Sequence, residues 1–131
     1  MMKKLWILFG LMALCLCACV ANTTENTEFH SDLYTDREIH AAIDKAIDYF
    51  DAEFSGCTLT EITYAGDEQT KAHAEWASRN DADEAIVLIS SFDVDASGGD
   101  GSLNPNSTYS NWMWILVRDH GGAWYHADHG Y

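Results

Sequence analysis

Seven apolar residues, Ile39, Ala42, Ile43, Ala46, Ile47, Phe50 and Phe54, recur at three- and four-residue steps, the period of one face of an α-helix. Asp44, Lys45, Asp48 and Asp51 fall on the other faces. Thr35 and Glu38, in "TDRE", have the spacing of a capping box, in which each side chain satisfies a free backbone N–H at a helix start. Tyr34 and Ile39 stand where a hydrophobic staple packs, and Gly56 supplies the stop. The pattern predicts a helix over 35–54 with one buried face. Such a helix needs a flat apolar surface to lie against.

That surface is expected to be a sheet. "CTLTEITY" (Cys57–Tyr64) is rich in β-branched residues, though its alternation is imperfect. The stretch 67–80 reads as a weaker helix, with Ala72 and Trp76 on one side. In "EAIVLISSFDVD", Ile86, Leu88, Ser90, Phe92 and Val94 share one face. Ala85, Val87 and Ile89 share the other, which turns polar at Ser91, Asp93 and Asp95. "TYSNWMWILVRD" sets Trp112, Trp114 and Leu116 against Tyr109, Met113, Ile115 and Val117. "HGG" marks a hairpin turn before the last strand, "AWYHADHGY". Both faces of the middle strands begin apolar, so the sheet is covered twice or one face lines a cavity. The expected fold class is α+β: a long N-terminal helix on a curved antiparallel sheet of about four strands, with a second short helix. Residues 33–131 suffice for one core and not for two.

The first residues read differently. Lys3 and Lys4 precede an apolar run from Leu5 to Leu16, shorter than the ~20 residues a membrane-spanning helix needs and suited to a signal peptide. "LCAC" follows, and it resembles the lipobox of bacterial lipoproteins. The resemblance implies a signal peptide over 1–18, a diacylglycerol on Cys19, and a cell-membrane protein held on the extracytoplasmic face. Cys17 and Cys15 fit less well, because the residue before each is a bulky Leu. An ordinary secreted protein cut near Ala21 is the alternative. Residues 19–32, rich in Thr, Asn and Glu, read as a flexible tether.

Cleavage before Cys19 leaves five Lys or Arg against 21 Asp or Glu, a formal charge of −16. Such a surface repels nucleic-acid phosphates and anionic headgroups, so nucleic acid is excluded as a partner and the membrane is met through the lipid alone. Cys57 would be the one cysteine left free, which leaves no internal disulfide.

The element order, helix, strand, short helix and a three-stranded meander, resembles the nuclear transport factor two-like (cystatin-like) α+β fold. "GGDGSLNPNSTY", "NWMWILVRD" and the terminal "HGY" resemble a group of small bacterial lipoproteins that has no assigned activity to carry over. That fold hosts isomerases, dehydratases and non-catalytic binding modules, so function has to be argued from a site.

Three candidate sites stand out. In "DVDASGGDG", Asp93, Asp95 and Asp100 offer carboxylates for calcium, the one cofactor the residues invite. The stretch is no EF-hand, because Asn104 stands where the bidentate Glu belongs. An ordered turn explains the same residues. His126 and His129 lie three apart, which on a regular strand puts them on opposite faces, whereas His126 and Asp128 share a face and could pair as base and orienting carboxylate. Trp112, Trp114 and Trp124 lie on adjacent expected strands, either as core or as a stacking platform for a sugar or peptide. The leading expectation is a lipid-anchored, non-catalytic binding domain for a protein or small ligand. The alternatives are a small pocket enzyme using His126 and Asp128, or a calcium-dependent surface module using the 93–100 loop.

Overall fold

The computed structural model describes residues 29–131. The signal-like run, Cys19 and residues 19–28 of the expected tether lie outside the described residues.

Helix α1 (Asp36–Glu53) leads into strand β1 (Cys57–Tyr64), then two short helices, α2 (Asp67–Ala72) and α3 (Glu75–Arg79). Strands β2 (Glu84–Val94), β3 (Thr108–Arg118) and β4 (Tyr125–Gly130) follow. The four strands form one antiparallel sheet in the order β1-β2-β3-β4. The protein is thus an α+β domain with α1 packed on a four-stranded sheet. The expected single helix over 67–80 is two, because at His73 and Ala74 the backbone tightens to three-residue hydrogen bonds (Ala74 to Lys71, Trp76 to His73).

The capping box at Thr35 and Glu38 forms with both of its hydrogen bonds. Ile39, Ala42, Ile43, Ala46 and Phe50 carry the stripe into the core, where Ile86, Leu88, Phe92, Trp114 and Leu116 meet them. Each large side chain buried there contributes roughly 1.5–3 kcal/mol. A second, smaller cluster of Ala77, Ala85 and Val117 lies on the other side, covered by Trp76. The sheet is covered twice at its centre.

Strand alternation is broken in three places. Thr60 is an extra residue in β1, so that Cys57, Leu59, Ile62 and Tyr64 all reach the α1 face. In β3, the two residues between Tyr109 and Trp112, Ser110 and Asn111, stand opposite the single Ser91 between Phe92 and Ser90. Asn111 takes the bulge with φ +58°, a left-handed conformation that Asn tolerates. Tyr109 is thereby carried to the α1 face, where it stacks on Phe92 with centroids 5.2 Å apart, and not to the opposite face that plain alternation gives. In β4, Ala127 is the extra residue between Asp128, opposite Ile115, and His126, opposite Leu116.

Arg118 closes the structure at the N-terminal end of α1. Its side chain is buried, bonded to Glu38 of α1 and, at 2.6 Å, to Glu84 of β2. The guanidinium lies 4.2 Å over the Trp124 ring, and the Trp124 indole donates to the Glu38 carbonyl at 3.0 Å. Tyr34 donates to the Ala85 carbonyl at 2.9 Å, and burial first, then the Glu84 charge, push its hydroxyl up to about 12. Residues of the expected tether join this end too: Ser31 and the Asp32 backbone donate to Asp67, and Phe29 packs edge-on against His40.

Replacing Arg118 by Ala strands two carboxylates that are only about a quarter to a third exposed. Urea unfolding of Arg118→Ala is expected to show a loss of about 2–4 kcal/mol. Arg118→Lys recovers only part of it, since an ammonium cannot fork to both partners. A loss below about 0.5 kcal/mol, the scatter of surface substitutions, would remove Arg118 as the clamp.

Candidate functional site

The opposite, C-terminal end of α1 is open. There Tyr49, Glu53, Phe54 and Ser55 face Trp112 of β3, His129 of β4 and the β2–β3 loop at Gly99, Asp100, Ser102 and Leu103. They enclose a cleft of about 260 Å³. The loop is ordered by its own chemistry. Ser97 donates to Asp95 through its hydroxyl and its backbone N–H, and Ser102 does the same to Asp100. These bonds hold both carboxyls below the usual carboxylate range. Gly56 has φ +71°, and a Cβ there would come within 2.8 Å of the Asp95 carboxylate, so the turn after α1 and the loop fit together only with glycine.

The cleft's inner wall is a cluster of rings. His126 stacks on Tyr49 with centroids 3.8 Å apart, and its Nε2 lies 2.9 Å from Nδ1 of His129. His129 in turn touches Phe54 (5.2 Å), Trp112 (5.8 Å) and Trp114 (5.2 Å). One imidazole must donate to the other, so the contact is lost if both are protonated. Burial holds both below the ordinary 6.5, and for His126 the neighbouring His129 lowers it further while Asp128 opposes.

The bulge at Ala127 overturns the expected pairing on β4. His126 and His129 share a face, and Asp128, opposite Ile115, lies on the other; Asp128 and His129 both line a second hollow with His73, Trp76 and Met113. His126 and Asp128 do not form a base and its orienting carboxylate. Among the three tryptophans, Trp114 (0 % exposed) and Trp124 (3 % exposed) are core residues. Trp114 donates to Ser90 at 2.8 Å. Among the described residues no solvent-facing tryptophan row exists; Trp112 alone of the three lines the cleft.

The acidic loop is placed as follows. Asp93 accepts from Thr108 at 2.7 Å, on the sheet's outer face, while Asp95 and Asp100 each close a separate serine turn. Among the described residues no three His, Cys, Asp or Glu side chains converge on a metal position. Cys57 is free and half-buried, and burial followed by the Asp95 and Asp100 charges pushes its thiol up, away from the thiolate a nucleophile needs.

Reading by sequence missed Tyr49, Glu53 and Phe54 as a site. Phe54 counted only as the end of the core stripe, and Tyr49 lies on the stripe's flank. The available signal was "SN" (Ser110, Asn111) breaking an otherwise apolar strand. Comparison of the chain with protein-family models, with curated proteins and with solved structures finds no match.

Both histidines have a lower pKa folded than unfolded, so the unfolded chain binds more protons between those values. Stability is therefore complete above about 6.5 and falls as pH drops below it, before the carboxylates titrate. Melting temperatures at pH 7.5 and 5.5 should show this fall, and His126→Gln/His129→Gln should flatten it. An unchanged slope in the double variant would show that the pair is not buried as described.

Proposed function

We propose that this protein is a lipid-anchored, extracytoplasmic, non-catalytic binding domain of the nuclear transport factor two-like type, with the cleft at the C-terminal end of α1 as its ligand seat. The observation that carries the seat is the convergence of Tyr49, Phe54, Trp112 and His129 from three elements on one concavity beside an ordered loop. A concave site with aromatic walls and a few fixed polar groups is the usual form of a small-ligand site. Its volume of about 260 Å³ lies just below the ~300–1,000 Å³ of drug-sized sites, which suits a small molecule or one side chain of a partner. The order of one long helix, a strand, short helices and a three-stranded meander supports the fold type. The basic start, short apolar run and "LCAC" support the anchor at Cys19, and residues 19–28 would space the domain from the membrane.

A binding role is favoured over catalysis by the chemistry of the lining. The Cys57 thiol is held protonated, and of the two serines in the cleft, Ser55 and Ser102, the second is committed to Asp100. His129, the one imidazole in the lining, is tied to His126.

Two measurements test the reading. Bacterial cells making the full chain should yield it in the detergent phase of a Triton X-114 partition, and Cys19→Ala should move it out; equal partition of both proteins would refute the anchor. A fragment screen by NMR should shift the Trp112 and His129 signals together. Fragment-induced shifts scattered elsewhere over the sheet would refute the seat.

A further inference from the structure

The cleft has a charge as well as a shape. Glu53 and Asp100 line it, and among the described residues no Lys or Arg does. It sits at the C-terminal pole of α1, where a helix carries roughly half a negative charge and favours cations. Yet the last turn of α1 holds Asp51 and Glu53 and no basic residue. No side chain of the helix's last turn thus neutralises this pole. Beside it stand the rings of Tyr49, Phe54 and Trp112; one face of Tyr49 is taken by His126 and one of Phe54 by Phe50, and a remaining aromatic face attracts cations through its quadrupole.

From this we infer that the cleft seats the head of a weakly hydrated organic cation, a quaternary ammonium or a guanidinium, between the Glu53 and Asp100 carboxylates and the Tyr49, Phe54 and Trp112 rings. The inference rests on the reading of the cleft as ligand seat and names its ligand class. A bare divalent metal fits less well, because such an ion needs several converging oxygens, and the loop carboxylates turn to separate serines. An unmethylated ammonium is more strongly hydrated than a guanidinium and loses more on entering an aromatic site. The volume admits a single head group. A cation of this kind comes either as a free small molecule or as an arginine side chain of a basic partner, and the chain's acidity draws both.

The test is a titration of the full chain, purified in a maltoside detergent, with choline, with N-acetylarginine amide, and with 3,3-dimethylbutanol, the uncharged isostere of choline. Binding is read by calorimetry and by the NMR signals of Trp112 and His129. A cation should bind saturably and shift those signals, and the isostere should bind at least about 10-fold more weakly. Whichever of choline and the arginine amide binds tighter assigns the source. Glu53→Gln, at an exposed position that leaves the core untouched, and Trp112→Leu should each weaken the cation by about 3- to 30-fold. Equal binding of alcohol and choline, or cation binding indifferent to Glu53→Gln, overturns the charge assignment and leaves the ligand seat standing. If neither cation nor alcohol moves the Trp112 and His129 signals, the seat itself falls with it.

Discussion

A β-bulge changes more than one residue, because every side chain beyond it moves to the other face of the sheet. This domain depends on that rule three times. Thr60 lets β1 present four side chains to the helix, Asn111 turns Tyr109 inward, and Ala127 brings His126 and His129 to one face. Without the last, only one of the two imidazoles would face α1, and the ring cluster behind the cleft would not close. The pairing of β2 with β3 stays regular from Glu84 to Ser90, and this central register carries the core.

The two ends of α1 are treated in opposite ways. At the N-terminal end, Asp36 and Glu38 suit the positive pole, and Glu38 is also tied to Arg118 under the Trp124 ring. Charge, cap and aromatic packing all agree there, and the end is locked. At the C-terminal end, Asp51 and Glu53 oppose the pole, and the rings are half-buried instead of buried. Conflict between local electrostatics and fold, set beside a cavity, is where function is expected in an otherwise consistent structure.

The helix and four strands were legible because long periodic runs state their own burial. Ile39 to Phe50 could form little else, and Glu84 to Val94 alternates cleanly on its inner face. What alternation could not reveal was where it stops. A single inserted residue such as Ala127 has no strong chemical signature; Asn111 offered one, as a polar residue tolerant of positive φ inside an apolar strand. The same error paired His126 with Asp128 and separated it from His129. The tryptophans were ambiguous by nature, since Trp114 and Trp112 share a face and only their depth under α1 decides which one meets solvent. The acidic loop was legible as a turn with glycines, and its carboxylates are engaged by Ser97, Ser102 and Thr108, partners that proximity in sequence or strand pairing supplies.

The most direct test of this account is an NMR study of the imidazole rings on the full chain in detergent. It should show nuclear Overhauser contacts from the His126 ring to the Tyr49 ring and from the His129 ring to Phe54 and Trp112, with both imidazoles titrating below 6.5. A His129 ring without those contacts, titrating as an exposed histidine does, would mean that β4 runs without its bulge. The shared face, the ring cluster and the cleft built on it would then be wrong.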